Sequence, residues 1–130
     1  MVVVDRLTKS SHFIALSHPY IATFVAQAFL DQVFKLHDMP ENIVSDRDPI
    51  LISRFWQELF SAHGATLRTS IAYHSQTDGQ TEVLNRTLET YLRCYCSDSQ
   101  KDWSLYFPMA EWWYNTTFQY AIQTTPYEAL

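Results

Sequence analysis

One helix-forming segment constrains this chain more than any other. From about residue 80 to residue 96, apolar side chains recur at spacings of four, three and four: Leu84, Leu88, Tyr91 and Tyr95. Such spacing predicts a helix with one buried face. The charged residues fall on the opposite face at helical intervals: Glu82, Arg86, Glu89 and Arg93. The pattern therefore predicts that Glu82 is held toward solvent by a helix anchored from behind.

The rest of the chain alternates between strand and helix patterns. The first half predicts strands at 1–4 and 12–16, antiparallel because their connection is short, a helix at 22–37, and a strand at 42–45. A second helix is predicted to be capped by Ser53, to stop at Gly64, and to bury Phe55, Trp56, Leu59 and Phe60. A strand at 66–72, a polar loop at 73–78, and a helical region at 101–117 interrupted or kinked near Pro108 follow. Thr125, Pro126 and Glu128 form the start of a last helix. This alternation predicts an α/β domain with a mixed sheet.

Composition narrows the possible classes of protein further. The 130 residues allow at most one domain, and their many aromatic side chains argue against disorder. A net charge of −5 opposes autonomous DNA binding without excluding chemistry on DNA. Cys94 and Cys96 lie two apart on the predicted helix, so a disulfide between them is not expected. The histidines show no zinc-binding spacing, and no apolar run is long enough to span a membrane.

Asp46 and Glu82 are the candidate site residues. Taken alone, Asp46 after the predicted strand at 42–45 favours a solvated turn, and Glu82 in a first helical turn could serve only the helix dipole. A strand-end Asp, a helix-start Glu and a polar loop with a glycine between them make a more specific combination. Carboxylates brought together at element ends are the oxygen ligands that Mg²⁺ prefers, and Mg²⁺ usually acts on phosphate.

The spacing and the loop together carry a family resemblance. Asp46 and Glu82 are separated by 35 residues, and the loop reads Tyr73-His74-Ser75-Gln76-Thr77-Asp78-Gly79-Gln80-Thr81-Glu82. This pattern closely resembles the integrase core of gypsy-like LTR retrotransposons, which is related to retroviral integrase. The resemblance covers essentially all of residues 1–130. It implies a partial integrase catalytic core with a ribonuclease-H-like mixed sheet flanked by helices.

The resemblance also implies roles. Asp46 and Glu82 match the second and third carboxylates of a site for Mg²⁺ or Mn²⁺, and Tyr73, Gln76, Asn85 and Arg86 match positions near the DNA end. The implied reaction is 3′-end processing and strand transfer of retrotransposon DNA into target DNA. It implies a homo-oligomer in the intact enzyme, without a membrane, acting in the nucleus after a cytoplasmic stage.

Some features depart from the family pattern. Ser75 stands where the family usually has Pro, Glu89 where retroviral relatives carry Lys, and Gln123 where Gly is common. The first catalytic Asp of the family lies on a central strand upstream of this segment, so Asp5 is interpreted as a strand end that pairs with Arg6 or a turn amide. The chain is expected to be truncated at both ends, to lack that strand, and to be poorly stable and inactive alone. The alternative is a non-catalytic, decayed or co-opted integrase remnant that binds nucleic acid or protein.

The late aromatic residues have two interpretations. Trp103, Trp112, Trp113 and Tyr114 could stack on bases. Aromatic clusters on late helices more often belong to a core or a subunit interface. We expect the second role.

Overall fold

The computed structural model describes residues 1–41, 43–45, 48–63, 74–75, 79–96 and 99–130. The chain divides into two compact units. The first unit contains residues 1–15 and 79–130, and the second contains residues 16–78. Each unit combines helices with a short strand pair, which confirms the α/β class at the level of its elements.

The first unit begins with an antiparallel hairpin. Strand β1 (Val2–Val4) pairs with β2 (Ser11–Phe13), so both predicted strands form, with β2 shorter than expected. The Asp5 carboxylate holds the turn between them, because it accepts hydrogen bonds from the Leu7 amide at 3.2 Å and the Thr8 hydroxyl at 2.6 Å. Asp5 is therefore a turn residue, as the sequence predicts.

The outer edge of β2 is covered by side chains from helix α5 (Trp103–Thr116). The Ser11 amide donates to Asn115 Oδ1 and the Asn115 side-chain amide donates to the Ser11 carbonyl, both at 2.9 Å. The Phe13 amide donates to Glu111 Oε2, also at 2.9 Å. Glu111 and Asn115 lie one turn apart and thus share a helix face. They satisfy backbone groups that another strand would otherwise pair.

The core of this unit lies between the hairpin, α5 and helix α4 (Gly79–Cys96). Its buried members come from three elements: Phe13, Leu84, Leu88, Leu92 and Ala110. Ala110 has no exposed surface, so its small side chain lets α5 approach closely. A short 3₁₀ turn (Gln100–Asp102) leads into α5. Helix α5 runs through Pro108 without a break, so of the two predicted alternatives the interruption is wrong and the kink stays a prediction.

Helix α6 (Pro126–Ala129) closes the first unit. The Thr125 hydroxyl accepts a hydrogen bond from the Glu128 amide at 3.2 Å, and Glu128 Oε2 accepts one from the Thr125 amide at 3.4 Å. This reciprocal pair is the predicted capping box, with Pro126 at the first helical position.

The second unit contains two packed helical segments. Helix α1 (Ala22–Phe29) continues as a π-helical stretch (Leu30–Phe34) and helix α2 (Lys35–His37), which confirms the helix predicted at 22–37. Helix α3 (Pro49–His63) packs on α1, where Phe29 and Phe55 meet edge to face with ring centroids 5.7 Å apart. Phe55, Trp56 and Leu59 are buried as predicted. The side chain of Phe60 and all of Gly64 lie outside the described residues.

The start of α3 differs from the prediction. The helix begins at Pro49, and Asp48 Oδ1 accepts a hydrogen bond from the Ile50 amide at 2.8 Å. Asp48 thus acts as the cap and Ser53 does not, since Ser53 lies inside the helix. An Asp followed by Pro is the stronger start signal, because the proline has no N–H to leave unpaired.

Two short parallel strands complete the second unit. Strand β3 (Val44–Ser45) pairs with β4 (His74–Ser75), with Ser45 opposite Ser75. The predicted polar loop at 73–78 therefore contains a strand, whereas the strand predicted at 66–72 lies outside the described residues. The described strands form two separate pairs, so the ribonuclease-H-like mixed sheet stays a prediction.

Among the helices described, none is long and apolar enough to cross a membrane. Cys94 and Cys96 are both free, as expected.

The edge contact of β2 predicts a dependence on pH. Burial raises the pKa of Glu111. Hydrogen bonds from His12 and from the Phe13 amide lower it, as does the charge of His12, and together they bring the pKa below its ordinary value. A carboxyl with a lowered folded-state pKa stabilises the fold above its unfolded-state pKa and loses that contribution as the pH falls through the folded-state value. We expect the Tm of the parent to fall more steeply below about pH 5 than that of Glu111→Gln. Parallel profiles in thermal circular dichroism would contradict this.

The positive φ at Gln123 predicts that glycine is more stable than alanine at this position. Gln123 has φ 56°, a left-handed conformation that costs a residue with a Cβ about 1 kcal/mol. Glycine avoids this cost, but its greater flexibility in the unfolded chain offsets part of the advantage. Gln123→Gly should exceed Gln123→Ala in free energy of unfolding by about 0.5–1 kcal/mol. Both variants lose the bond from Gln123 Nε2 to the Tyr120 carbonyl, so the comparison isolates the backbone. Equal stabilities in urea unfolding would be the opposing result.

Candidate metal and nucleic-acid site

Helix α4 presents Glu82 in its first turn. The side chain is 56% exposed, and its Oε1 accepts a hydrogen bond of 2.6 Å from Arg86 Nη2. The acidic residue precedes its basic partner by four positions, which is the favourable orientation for a helical ion pair. Glu82 is thus displayed to solvent on the face that the sequence predicts.

The opposite face of α4 anchors the helix. Leu84, Leu88 and Leu92 are buried at uniform spacings of four, whereas Tyr95 is 57% exposed. The predicted stripe is therefore correct for its two leucines and wrong for Tyr95. Tyr91 is half-buried and stacks on Trp113 of α5, with ring centroids 5.0 Å apart.

The predicted DNA-binding residues are divided between described and undescribed parts of the chain. Asn85 and Arg86 follow Glu82 on α4, and both are exposed. Asp46, Tyr73 and Gln76 lie outside the described residues.

The parallel strands adjoin two of these positions in the sequence. Because Ser45 pairs with Ser75, the chain leaves β3 and β4 side by side at the same edge. Asp46 is the next residue after Ser45, and Gln76 is the next after Ser75. In open α/β sheets, the carboxyl ends of parallel strands are where ligands usually bind.

A second ion pair continues the charged face of α4. Arg93 donates from Nε and Nη2 to Glu89 Oε1, at 3.2 Å and 2.7 Å. Both side chains are half exposed. The face therefore carries two carboxylates and two guanidinium groups in alternation, with no net charge.

The chemistry of Glu82 suits a hard divalent cation. Its carboxylate is exposed, and the bond to Arg86 uses one of two oxygens, each of which has further acceptor capacity. In the part of the chain that the structure describes, no group of three His, Cys, Asp or Glu side chains could hold a metal. The two carboxylate oxygens of Asp5 accept the hydrogen bonds of its own turn, which gives this carboxylate a structural role.

The late aromatic residues have mixed environments. Trp103 and Tyr114 are partly buried and pack against the core, as predicted. Trp112 is 70% exposed, so it does not belong to the core of this chain, and the alternative role in a subunit interface stays a prediction. The sequence also missed Leu92 as an anchor of α4, although its spacing of four from Leu88 was a usable signal.

The chain is similar to a part of known transposon polyproteins. No protein-family model matches the chain. The similar proteins include the transposon Tf2-3, Tf2-4 and Tf2-5 polyproteins of Schizosaccharomyces pombe (strain 972), each 33% identical over 127 residues. The match covers 98% of this chain but 10% of each polyprotein, so the chain spans about a tenth of their length. The expected relation to a transposable element is confirmed, whereas the integrase core stays a prediction.

The anchoring of α4 predicts unequal effects of two substitutions. Leu92 is 1% exposed in the core, so Leu92→Ala should lower the free energy of unfolding by about 2–4 kcal/mol. Leu105 is 73% exposed on α5, so the matched Leu105→Ala should change it by less than about 0.5 kcal/mol. Denaturant unfolding of both variants checks this, and similar losses would contradict the assigned anchor.

Proposed function

We propose that this chain is part of an integrase catalytic core of a retrotransposon polyprotein. The core would process the 3′ ends of element DNA and join them to target DNA, acting in the nucleus after a cytoplasmic stage. The observation that carries the proposal is the display of Glu82 in the first turn of an anchored helix, within a segment similar to transposon polyproteins along nearly its whole length.

Asp46 and Glu82 are the proposed ligands for Mg²⁺ or Mn²⁺. Asp46 directly follows Ser45 at the end of a parallel strand, a position from which acidic side chains commonly serve open α/β sites. When bound, such ions activate an attacking oxygen and stabilise the charge of a phosphoryl group. The role of α4 is to hold the Glu82 carboxylate at a fixed position on an exposed surface.

The remaining proposed residues bind DNA. Arg86 lies one turn beyond Glu82, and its exposed guanidinium suits a backbone phosphate. Asn85 is exposed beside it and can donate or accept a hydrogen bond. Tyr73 and Gln76 flank β4 in the sequence and complete the proposed DNA contacts.

The exposed face of α5 favours a second candidate function. Leu105, Met109 and Trp112 are all more than half exposed and lie along one face of the helix. Exposed apolar patches often mark protein interaction sites. The alternative is therefore a non-catalytic remnant of an integrase that binds a protein or nucleic acid.

Metal titration separates these functions. We expect the parent chain to bind Mn²⁺, and Asp46→Asn and Glu82→Gln each to weaken binding about tenfold or more, because each removes a charged oxygen ligand. Electron paramagnetic resonance of free Mn²⁺ provides the measurement.

Asp5→Asn is the matched control for these variants. It makes the same chemical change at a carboxylate that holds a turn, so it should leave Mn²⁺ binding unchanged. Unaltered binding in both Asp46→Asn and Glu82→Gln would reject the metal site and favour the non-catalytic function.

A further inference from the structure

The carboxylate of Glu82 has a cationic partner on its own helix. Arg86 Nη2 donates to Glu82 Oε1 at 2.6 Å, which is shorter than the roughly 2.7–2.9 Å of an ordinary charge-assisted hydrogen bond between such groups. The guanidinium is 75% exposed and the carboxylate 56% exposed. The group that the proposed function assigns to a metal is therefore already compensated by a positive charge.

The start of α4 supplies further positive charge. The amides at a helix N-terminus that have no partner within the helix together carry about half a positive charge, which acts over the first turn. Glu82 lies in that turn. Two sources within α4 thus compensate the carboxylate before any ion binds, and both oppose an additional positive charge at the same place.

We propose that Arg86 is a displaceable counter-ion of Glu82, which lowers the affinity of this carboxylate for Mg²⁺ or Mn²⁺ and withdraws from it when a cation binds. The inference rests on the proposed function, because it takes Glu82 as a metal ligand. It adds a regulation of that ligand by a side chain of the same helix.

The opposition of Arg86 to a cation is electrostatic rather than steric. Its hydrogen bond leaves acceptor capacity on the carboxylate of Glu82, so a cation keeps access to the oxygens. A guanidinium and a cation on one carboxylate are nevertheless like charges in close proximity. Repulsion between two unit charges about 4 Å apart in water corresponds to roughly fivefold in an equilibrium constant. Arg86 therefore weakens cation binding for as long as it stays in contact.

The withdrawal of Arg86 is feasible because the two partners are held differently. Glu82 belongs to a helix that is anchored by its buried Leu84 and Leu88. Arg86 carries its charge at the end of a long, exposed side chain, and exposed helical pairs at this spacing shift an equilibrium by only about twofold. Arg86 can thus turn into solvent while the backbone at Glu82 stays in place.

The test is titration of the full chain with Mn²⁺, with free Mn²⁺ followed by electron paramagnetic resonance at about 0.1 M salt. Arg86→Gln should tighten binding about two- to fivefold, since it removes both the hydrogen bond and the repulsion. Arg86→Lys keeps the positive charge and should bind Mn²⁺ as the parent does. The gain in Arg86→Gln should shrink as the salt concentration rises, because both charges of the pair are exposed.

Lys101→Gln is the matched control, since it removes one positive charge from an exposed position in the 3₁₀ turn after α4. Helix α4 extends about 21 Å beyond Glu82 at about 1.5 Å per residue, whereas salt at about 0.1 M screens exposed charges over about 10 Å. Lys101→Gln should therefore leave Mn²⁺ binding unchanged. Circular dichroism of each variant checks that α4 remains helical.

A double-mutant cycle shows whether the effect of Arg86 acts through Glu82. In the Glu82→Gln background, Arg86→Gln should give no gain beyond that of Lys101→Gln. A gain that persists in this background overturns the proposal. So does a gain in the parent background no larger than that of Lys101→Gln, or an equal gain in Arg86→Lys.

Failure of the counter-ion role can be told apart from failure of the metal site. If Glu82→Gln weakens Mn²⁺ binding but Arg86→Gln does not strengthen it, the counter-ion role alone is rejected. Unaltered binding in Glu82→Gln also rejects the counter-ion role, and the metal site is rejected with it if Asp46→Asn has no effect either. Binding that is undetectable in the parent but measurable in Arg86→Gln supports the counter-ion role, whereas undetectable binding in both rejects both proposals.

Discussion

The outer edge of β2, which is paired by side chains rather than by a strand, is the constraint on which the first unit depends. Backbone groups at a buried edge need partners, and here Glu111 and Asn115 supply them from a helix about a hundred residues later in the chain. These bonds fix the face that α5 turns toward the hairpin. Ala110, adjacent to Glu111, is therefore buried in the core beside the leucines of α4. The packing of α4 against α5 thus depends on the hydrogen bonds that Glu111 and Asn115 make with β2.

The two faces of α4 serve different purposes. The buried leucines are spaced by four, so they form one ridge that fixes the helix without help from the charged side. The side chains of the charged face are exposed and form two ion pairs. Surface pairs of this kind add little stability.

The sequence predicts local features well and long-range ones poorly. The bounds of α4 and the capping box at Thr125 follow from periodicity and from residues close in sequence. The cap at Asp48 was missed because Ser53 offered a competing local signal. The contact of Asn115 with Ser11 spans 104 positions, and no period or motif reports it. The same distinction holds for the candidate site. The exposure of Glu82 follows from the helical pattern, whereas the proposed site residues on other elements were inferred from the family resemblance.

Position 89 shows how one residue can change what a helix face does. With Lys at this position, Glu82, Lys, Arg86 and Arg93 would sum to a charge of +2. With Glu89 the face sums to zero, and an oppositely charged side chain lies one turn before Arg93. A chain with a net charge of −5 gains little DNA affinity from such a face. A divalent cation held at Glu82 would restore positive charge there, so DNA binding and metal binding on α4 would be linked, each strengthening the other.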